Sequence, residues 1–99
     1  MHAILQPERA ARFAAEVVRR HLPDPAYRVF LFGSRADGTA HERSDIDIGI
    51  EGPQPVPQAT LASIQEELEE APTLYTIDVV DFRRVSEKFR RVAQRRLPL

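Results

Sequence analysis

The apolar residues of this chain alternate between helical and strand-like spacing, and this alternation constrains the fold more than any other feature. Residues 7–22 and 57–70 repeat their apolar positions at three- and four-residue steps, which is typical of amphipathic helices. Segments 27–32, 44–50 and 74–82 are rich in the β-branched and aromatic residues that favour strands. The pattern predicts an α/β fold, with a small mixed sheet of about three strands and flanking helices.

The connections between these elements predict how the strands pair. Only residues 33–43 separate the first two strands, which is close to the lower limit for a parallel crossover, whereas the helix over 57–70 provides one between the second and third. A last helix is expected over 83–96, with four apolar residues facing the core: Val85, Phe89, Val92 and Ala93. Since 99 residues are the size of one domain, residues 1–99 are expected to form a single domain.

Composition excludes several classes of protein and site. The chain has no cysteine, which excludes disulfides, a thiolate nucleophile and zinc sites built on cysteine. Any metal must be held by oxygen or imidazole, and no two of the three histidines have ligand spacing. No apolar run approaches the ~20 residues of a bilayer helix, and charges interrupt the N-terminal apolar residues where a secretory signal would need a continuous run. A cytoplasmic location is therefore expected.

Charge is distributed unevenly along the chain. Residues 1–82 carry seven basic and fourteen acidic side chains, whereas residues 83–99 carry seven basic side chains and one acidic. Such a cationic segment can bind a nucleotide phosphate, an RNA backbone or an acidic protein surface, or it can be a solvated helix face. RNA binding is not expected, because the segment lacks interleaved exposed aromatic residues.

Two aspartates share one face of the second predicted strand. Side chains alternate along a strand, so Asp45 and Asp47 project from the same side. Two carboxylates brought to ~5 Å repel by ~3 kcal/mol at an effective dielectric constant of 20, and a bound cation removes that repulsion. An isolated D-x-D pair usually lies on a solvated face, so neighbouring features must decide whether this pair forms a site.

The first such feature is Gly33-Ser34, directly after the predicted strand over 27–32. A glycine lets the backbone turn there, and its N–H groups, with the serine hydroxyl, can face a phosphate. Arg35 follows, and it can neutralise phosphate charge or pair with Asp37 or another acidic side chain. Ser44 is expected to cap the local backbone.

The second feature is a carboxylate within the apolar third strand. Asp78 lies among β-branched residues, where a carboxylate is costly unless it is paired or bound to a metal. Asp81 projects from the opposite face, so it is expected to cap the strand end or the following helix. With Asp78 as the third carboxylate and Asp81 as the alternative, Asp45, Asp47 and Asp78 can hold one or two Mg²⁺ ions. This arrangement predicts metal-assisted phosphoryl transfer.

The combination of Gly33, Ser34, Asp45, Asp47 and Asp78 resembles the signature of the DNA polymerase β superfamily of nucleotidyltransferases. The stretch GSRADGTAHERSDIDIGI is especially similar to minimal nucleotidyltransferases, which are single small domains. The resemblance implies the nucleotidyltransferase fold over residues 1–99 and transfer of AMP from ATP to a hydroxyl group with release of pyrophosphate.

The resemblance also implies residue roles and a partner. Asp45, Asp47 and Asp78 would be metal ligands, with Asp78 as the base for the attacking hydroxyl, and Gly33 and Ser34 would bind the β- and γ-phosphates. Minimal members often pair with a HEPN-domain ribonuclease toxin, on which they act as antitoxins by adenylylating a tyrosine. The alternative is a binding module that keeps the fold and neutralises its partner by complex formation alone.

Overall fold

Four strands form one mixed sheet in the computed structural model, which describes residues 4–41 and 44–99. The elements are α1 (Pro7–His21), β1 (Arg28–Phe32), α2 (Ser34–Asp37), β2 (Ile46–Glu51), α3 (Gln58–Glu69), β3 (Ile77–Asp81), α4 (Glu87–Val92) and β4 (Leu97–Pro98). The strand order is β3-β2-β1-β4, in which β1 is antiparallel to β2 and β4, and β2 is parallel to β3. The predicted mixed α/β fold is confirmed, and the short strand β4 and the one-turn helix α2 are additions to it.

One face of the sheet packs against α1 and α3 and forms the larger core. Alternate residues of β2 point to this face, and Ile46, Ile48 and Ile50 are all fully buried there. The buried side chains of α1 and α3 that meet them include Ala10, Ala14, Val17, Val18, Ile64 and Leu68. None of the helices in the described part of the chain is long and apolar enough to cross a membrane.

The opposite face of the sheet carries a small aromatic core. The ring of Phe82 packs edge-on against Phe30 and Phe32, with centroid distances of 4.9 and 5.0 Å. Ala93, just after α4, is buried in the same cluster. Phe32 pairs with Asp47 across β1 and β2, so the aspartates of the predicted site lie on this second face.

The last helix is shorter than predicted. It begins at Glu87 because Ser86 caps it, accepting a hydrogen bond from the N–H of Phe89 at 3.1 Å. The chain leaves the helix at Ala93 and enters β4. The prediction that Val92 faces the core is wrong, since Val92 is 82% exposed. Phe89 is 37% exposed, so it is only partly buried.

Asp81 joins the end of β3 to the loop that precedes α3. It is 3% exposed, and its carboxylate accepts hydrogen bonds from the N–H of Val56 at 2.8 Å and of Arg83 at 2.9 Å. The Arg84 guanidinium lies 3.4 Å from the same carboxylate and donates to the Val56 carbonyl. The expectation that Asp81 caps the strand end is confirmed.

We predict that Asp81→Ala destabilises the protein by about 2–4 kcal/mol, because each buried polar group left without a partner costs about 1–3 kcal/mol. Urea unfolding followed by circular dichroism measures this change. Asp78→Ala, on the same strand, is the matched control and should leave the free energy of unfolding equal or higher. Equal destabilisation by both variants would contradict the structural role of Asp81.

Candidate active site

The turn between β1 and α2 is built around Gly33. Its φ of 76° and ψ of −155° lie in a region that is open essentially to glycine alone. Its carbonyl accepts hydrogen bonds from the N–H groups of Ala36 and Asp37 at 3.0 and 3.1 Å, which closes the single turn of α2. The chain therefore reverses direction within a few residues of the buried strand.

The backbone of Gly33 packs directly against the Asp47 carboxylate. A Cβ atom placed on Gly33 would lie 2.5 Å from Asp47 Oδ2, which is too close for a real side chain, and 3.3 Å from Asp47 Cγ, which is a tight contact. The antiparallel register produces this contact, since it sets Phe32, the last residue of β1, opposite Asp47. The turn predicted to bind phosphate and the Asp47 carboxylate of β2 are thus immediate neighbours.

The structure also brings the predicted carboxylates together. Asp47 and Asp78 are paired in register on the parallel strands β2 and β3, and both are half-buried. Asp45 precedes β2 and is exposed. Burial, and then the negative charges of Asp78 and Asp45, raise the pKa of Asp47, while the positive charge of Arg35 opposes that rise.

These carboxylates fit a hard divalent cation by their chemistry. Mg²⁺ binds oxygen ligands, and the pKa of Asp47 is raised first by burial and then by the negative charges of Asp78 and Asp45, which a cation would offset. As the side chains stand, no three carboxylate or imidazole groups within residues 4–41 and 44–99 converge closely enough to hold an ion. Of the three predicted ligands, the structure therefore brings Asp47 and Asp78 together, while Asp45 lies just before β2 and is exposed.

Arg35 connects the turn to the start of the aspartate-bearing segment. Its Nε and Nη2 donate to the Ser44 carbonyl at 3.1 and 2.6 Å, and its guanidinium lies over the Tyr75 ring, 5.0 Å from the centroid. Ser44 Oγ accepts a hydrogen bond from the N–H of His41 at 2.9 Å, as expected for a local cap. Arg35 thus fixes the backbone immediately before Asp45.

The pair between Arg35 and Asp37, one of the two alternatives from the sequence, is not formed among the described residues. Asp37 instead accepts hydrogen bonds from the hydroxyl of Thr39 at 2.6 Å and from its N–H at 3.1 Å, and these bonds lower the pKa of Asp37. Sequence reasoning missed the Ser44 carbonyl and the Tyr75 ring as partners of Arg35. No residue pattern marks a carbonyl acceptor, and Tyr75 lies 40 residues further along the chain.

We predict that Gly33→Ala destabilises the protein by about 1–3 kcal/mol, the cost of a non-glycine residue at these dihedral angles. The added methyl group should also displace the Asp47 carboxylate. Thermal unfolding measures the first effect, and the midpoint of Mg²⁺ binding measures the second. Gly38→Ala is the control, because Gly38 has a positive φ but nothing within 4 Å of its Cβ direction. Unchanged Mg²⁺ binding in Gly33→Ala would contradict the close contact with Asp47.

Comparison with known proteins agrees with this geometry. The family model described as polymerase beta, nucleotidyltransferase, matches residues 17–96. A curated relative, the "Probable protein adenylyltransferase MntA" of Haemophilus influenzae, is 31% identical over 71 residues. That match covers 72% of this chain and 62% of the relative, so the chain spans somewhat less than two thirds of the relative's length.

Solved structures share the fold. A candidate minimal nucleotidyltransferase is 27% identical with a TM-score of 0.69, and the match covers 99% of this chain and 98% of that one. A complex of tri-AMPylated Shewanella oneidensis HEPN toxin with MNT antitoxin gives a TM-score of 0.64 at 16% identity, covering 94% and 71%. A toxin–antitoxin structure with AMP-PNP gives 0.64 at 22% identity, covering 89% and 70%. With its fold, its glycine turn and its family match over residues 17–96, this chain belongs to the polymerase β family of nucleotidyltransferases.

Proposed function

We propose that this protein transfers AMP from ATP to a hydroxyl group of a HEPN toxin in a Mg²⁺-dependent reaction, and that it acts as an antitoxin in the cytoplasm. The acceptor is a tyrosine side chain, and pyrophosphate is released. The observation that carries the proposal is the in-register pair of Asp47 and Asp78 next to the Gly33 turn. The curated relative named as a protein adenylyltransferase and the similar complex that contains an AMPylated HEPN toxin support it.

The three aspartates would hold one or two Mg²⁺ ions on the open side of the sheet. Bound Mg²⁺ supplies positive charge to the phosphates and makes a hydroxyl easier to deprotonate. Asp78 is the proposed base for the acceptor hydroxyl. Asp47 pairs in register with Asp78, and its carboxylate lies against the Gly33 backbone. The fold therefore restricts the position of this proposed ligand most closely.

The turn would hold the outer phosphates of ATP. Gly33 presents bare backbone, so a phosphate can approach its peptide groups without meeting a side chain. The Ser34 hydroxyl provides a further hydrogen bond. Arg35 adds positive charge beside the carboxylates, and its bonds to the Ser44 carbonyl keep the turn and the D-x-D segment at a fixed separation.

We predict that the purified protein, incubated with ATP labelled at the α-phosphate and with Mg²⁺, labels a HEPN protein encoded beside it. EDTA should abolish the label, and so should the double variant Asp45→Asn, Asp47→Asn, because each treatment removes the metal site. Mass spectrometry of the product identifies the acceptor residue. Glu16→Gln, an exposed change on α1, is the control and should label normally.

Other outcomes of this experiment would contradict parts of the proposal. Wild-type labelling by the double aspartate variant would refute the metal assignment. A tight complex with the HEPN protein that never becomes labelled would refute the enzyme and favour the non-catalytic binding module.

We predict that Asp47→Asn melts at a higher temperature than the wild type at pH 7 in EDTA. The raised pKa of Asp47 means that its ionised form is disfavoured in the fold, so wild-type stability falls as the pH rises through that pKa, above the usual 3.8. Asparagine removes this loss, and each ~1 kcal/mol corresponds to about 4–8 °C in a domain of this size. Saturating Mg²⁺ should stabilise the wild type alone. A lower melting temperature for Asp47→Asn in EDTA would contradict the crowding of charge.

A further inference from the structure

Most basic side chains of the cationic segment, residues 83–99, already have partners within the protein. The engaged pairs are Arg83 with the Gly52 carbonyl, Arg84 with the Val56 carbonyl, Arg90 with the Phe82 carbonyl, Arg91 with Glu87, and Arg96 with Glu51. Lys88 and Arg95 make no hydrogen bond or ion pair to any residue that the structure describes. Both residues are exposed, and neither guanidinium nor ammonium group is held in a hydrogen bond by a described residue.

Two observations indicate that Arg95 is close to the Gly33 turn. Strand β4 runs antiparallel to β1, with Leu97 opposite Leu31 and Pro98 opposite Phe30. Arg95 comes two residues before β4 and Gly33 directly follows β1, so this register, continued past both strands, would set Arg95 level with Gly33. The hydrogen bonds from Thr39 are the main cause of the lowered pKa of Asp37, the last residue of α2, and the charge of Arg95 adds to it, so Arg95 is within electrostatic range of that helix.

Within residues 4–41 and 44–99, the cation that follows the turn along the chain is Arg35, and its guanidinium already has partners. The Arg35 guanidinium is occupied by the Ser44 carbonyl and the Tyr75 ring. Asp37 adds a negative charge to α2, close to where the outer phosphates would bind, in a site that already contains three aspartates. A triphosphate at this turn would therefore be stabilised by a positive charge from another segment, and Arg95 is an arginine that makes no hydrogen bond or ion pair to any described residue.

We propose that Arg95 binds the β- or γ-phosphate of the nucleotide, so that the cationic segment completes the phosphate site of the turn. An arginine suits this role because its planar group can donate two parallel hydrogen bonds to one phosphate. The inference rests on the proposed function, since it requires a nucleoside triphosphate at Gly33 and Ser34.

Calorimetric titration of the full chain tests the proposal, with Mg²⁺ and an ATP analogue that carries a methylene bridge between the α- and β-phosphates. We expect Arg95→Ala to weaken binding of this analogue by about tenfold to a hundredfold, the usual range for lost hydrogen bonds to a charged group. AMP lacks the outer phosphates, so its affinity should be unchanged. Arg28→Ala is the matched control, because Arg28 is an exposed arginine at the start of β1, the strand whose other end leads into Gly33.

The outcomes separate this inference from the proposed function. Failure of the wild type to bind the ATP analogue would overturn both. Wild-type binding with equal affinity for Arg95→Ala, or an equal loss in Arg28→Ala, would overturn the role of Arg95 alone. The Arg95→Ala change must also weaken binding in an Asp37→Asn background. If it has no effect there, Arg95 acts only by neutralising Asp37, and direct phosphate binding is refuted.

Discussion

The close contact between the Gly33 backbone and the Asp47 carboxylate is the constraint on which the rest of the site depends. It requires an antiparallel β1–β2 pair in which Phe32 stands opposite Asp47, and a residue without a side chain at the turn. The buried isoleucines of β2 hold this register from behind, because a slip by one residue would move them into solvent and the aspartates into the core. Packing on one face thus fixes the position of polar groups on the other.

One face of the sheet forms the larger core, and the other carries the proposed site. Two aspartates of β3 show how the two faces differ. Asp81 points toward the helices and is buried, with hydrogen bonds to two N–H groups and a nearby arginine. Asp78 lies on the other face, half-buried beside Asp47. The Asp81 carboxylate is surrounded by donors, whereas Asp78 stands next to a second carboxylate. The proposed cation would bind at this pair of carboxylates.

The sequence predicted those features that follow from spacing along one strand or helix. The mixed sheet, the parallel crossover through α3 and the opposite faces of Asp78 and Asp81 are of this kind. It did not predict β4, because two residues that include Pro98 carry no strand pattern. It misplaced Val92, because α4 ends at this residue and the chain buries Ala93, the next residue, in its place. The site roles of Asp45, Asp47 and Asp78 stay predictions.

The cationic segment shows why charge counted along a sequence does not indicate a binding surface. Most of its arginines bind backbone carbonyls or acidic side chains, and Arg96 also lies over the rings of Phe30 and Phe82 at 4.5 and 4.8 Å. These contacts attach the segment to the open face of the sheet and lead β4 along the edge of β1. Because Arg95 comes two residues before β4, the pairing of β4 with β1 also restricts the position of Arg95. The segment mainly covers the small aromatic core, and it also carries Arg95, the arginine proposed to bind phosphate at the Gly33 turn.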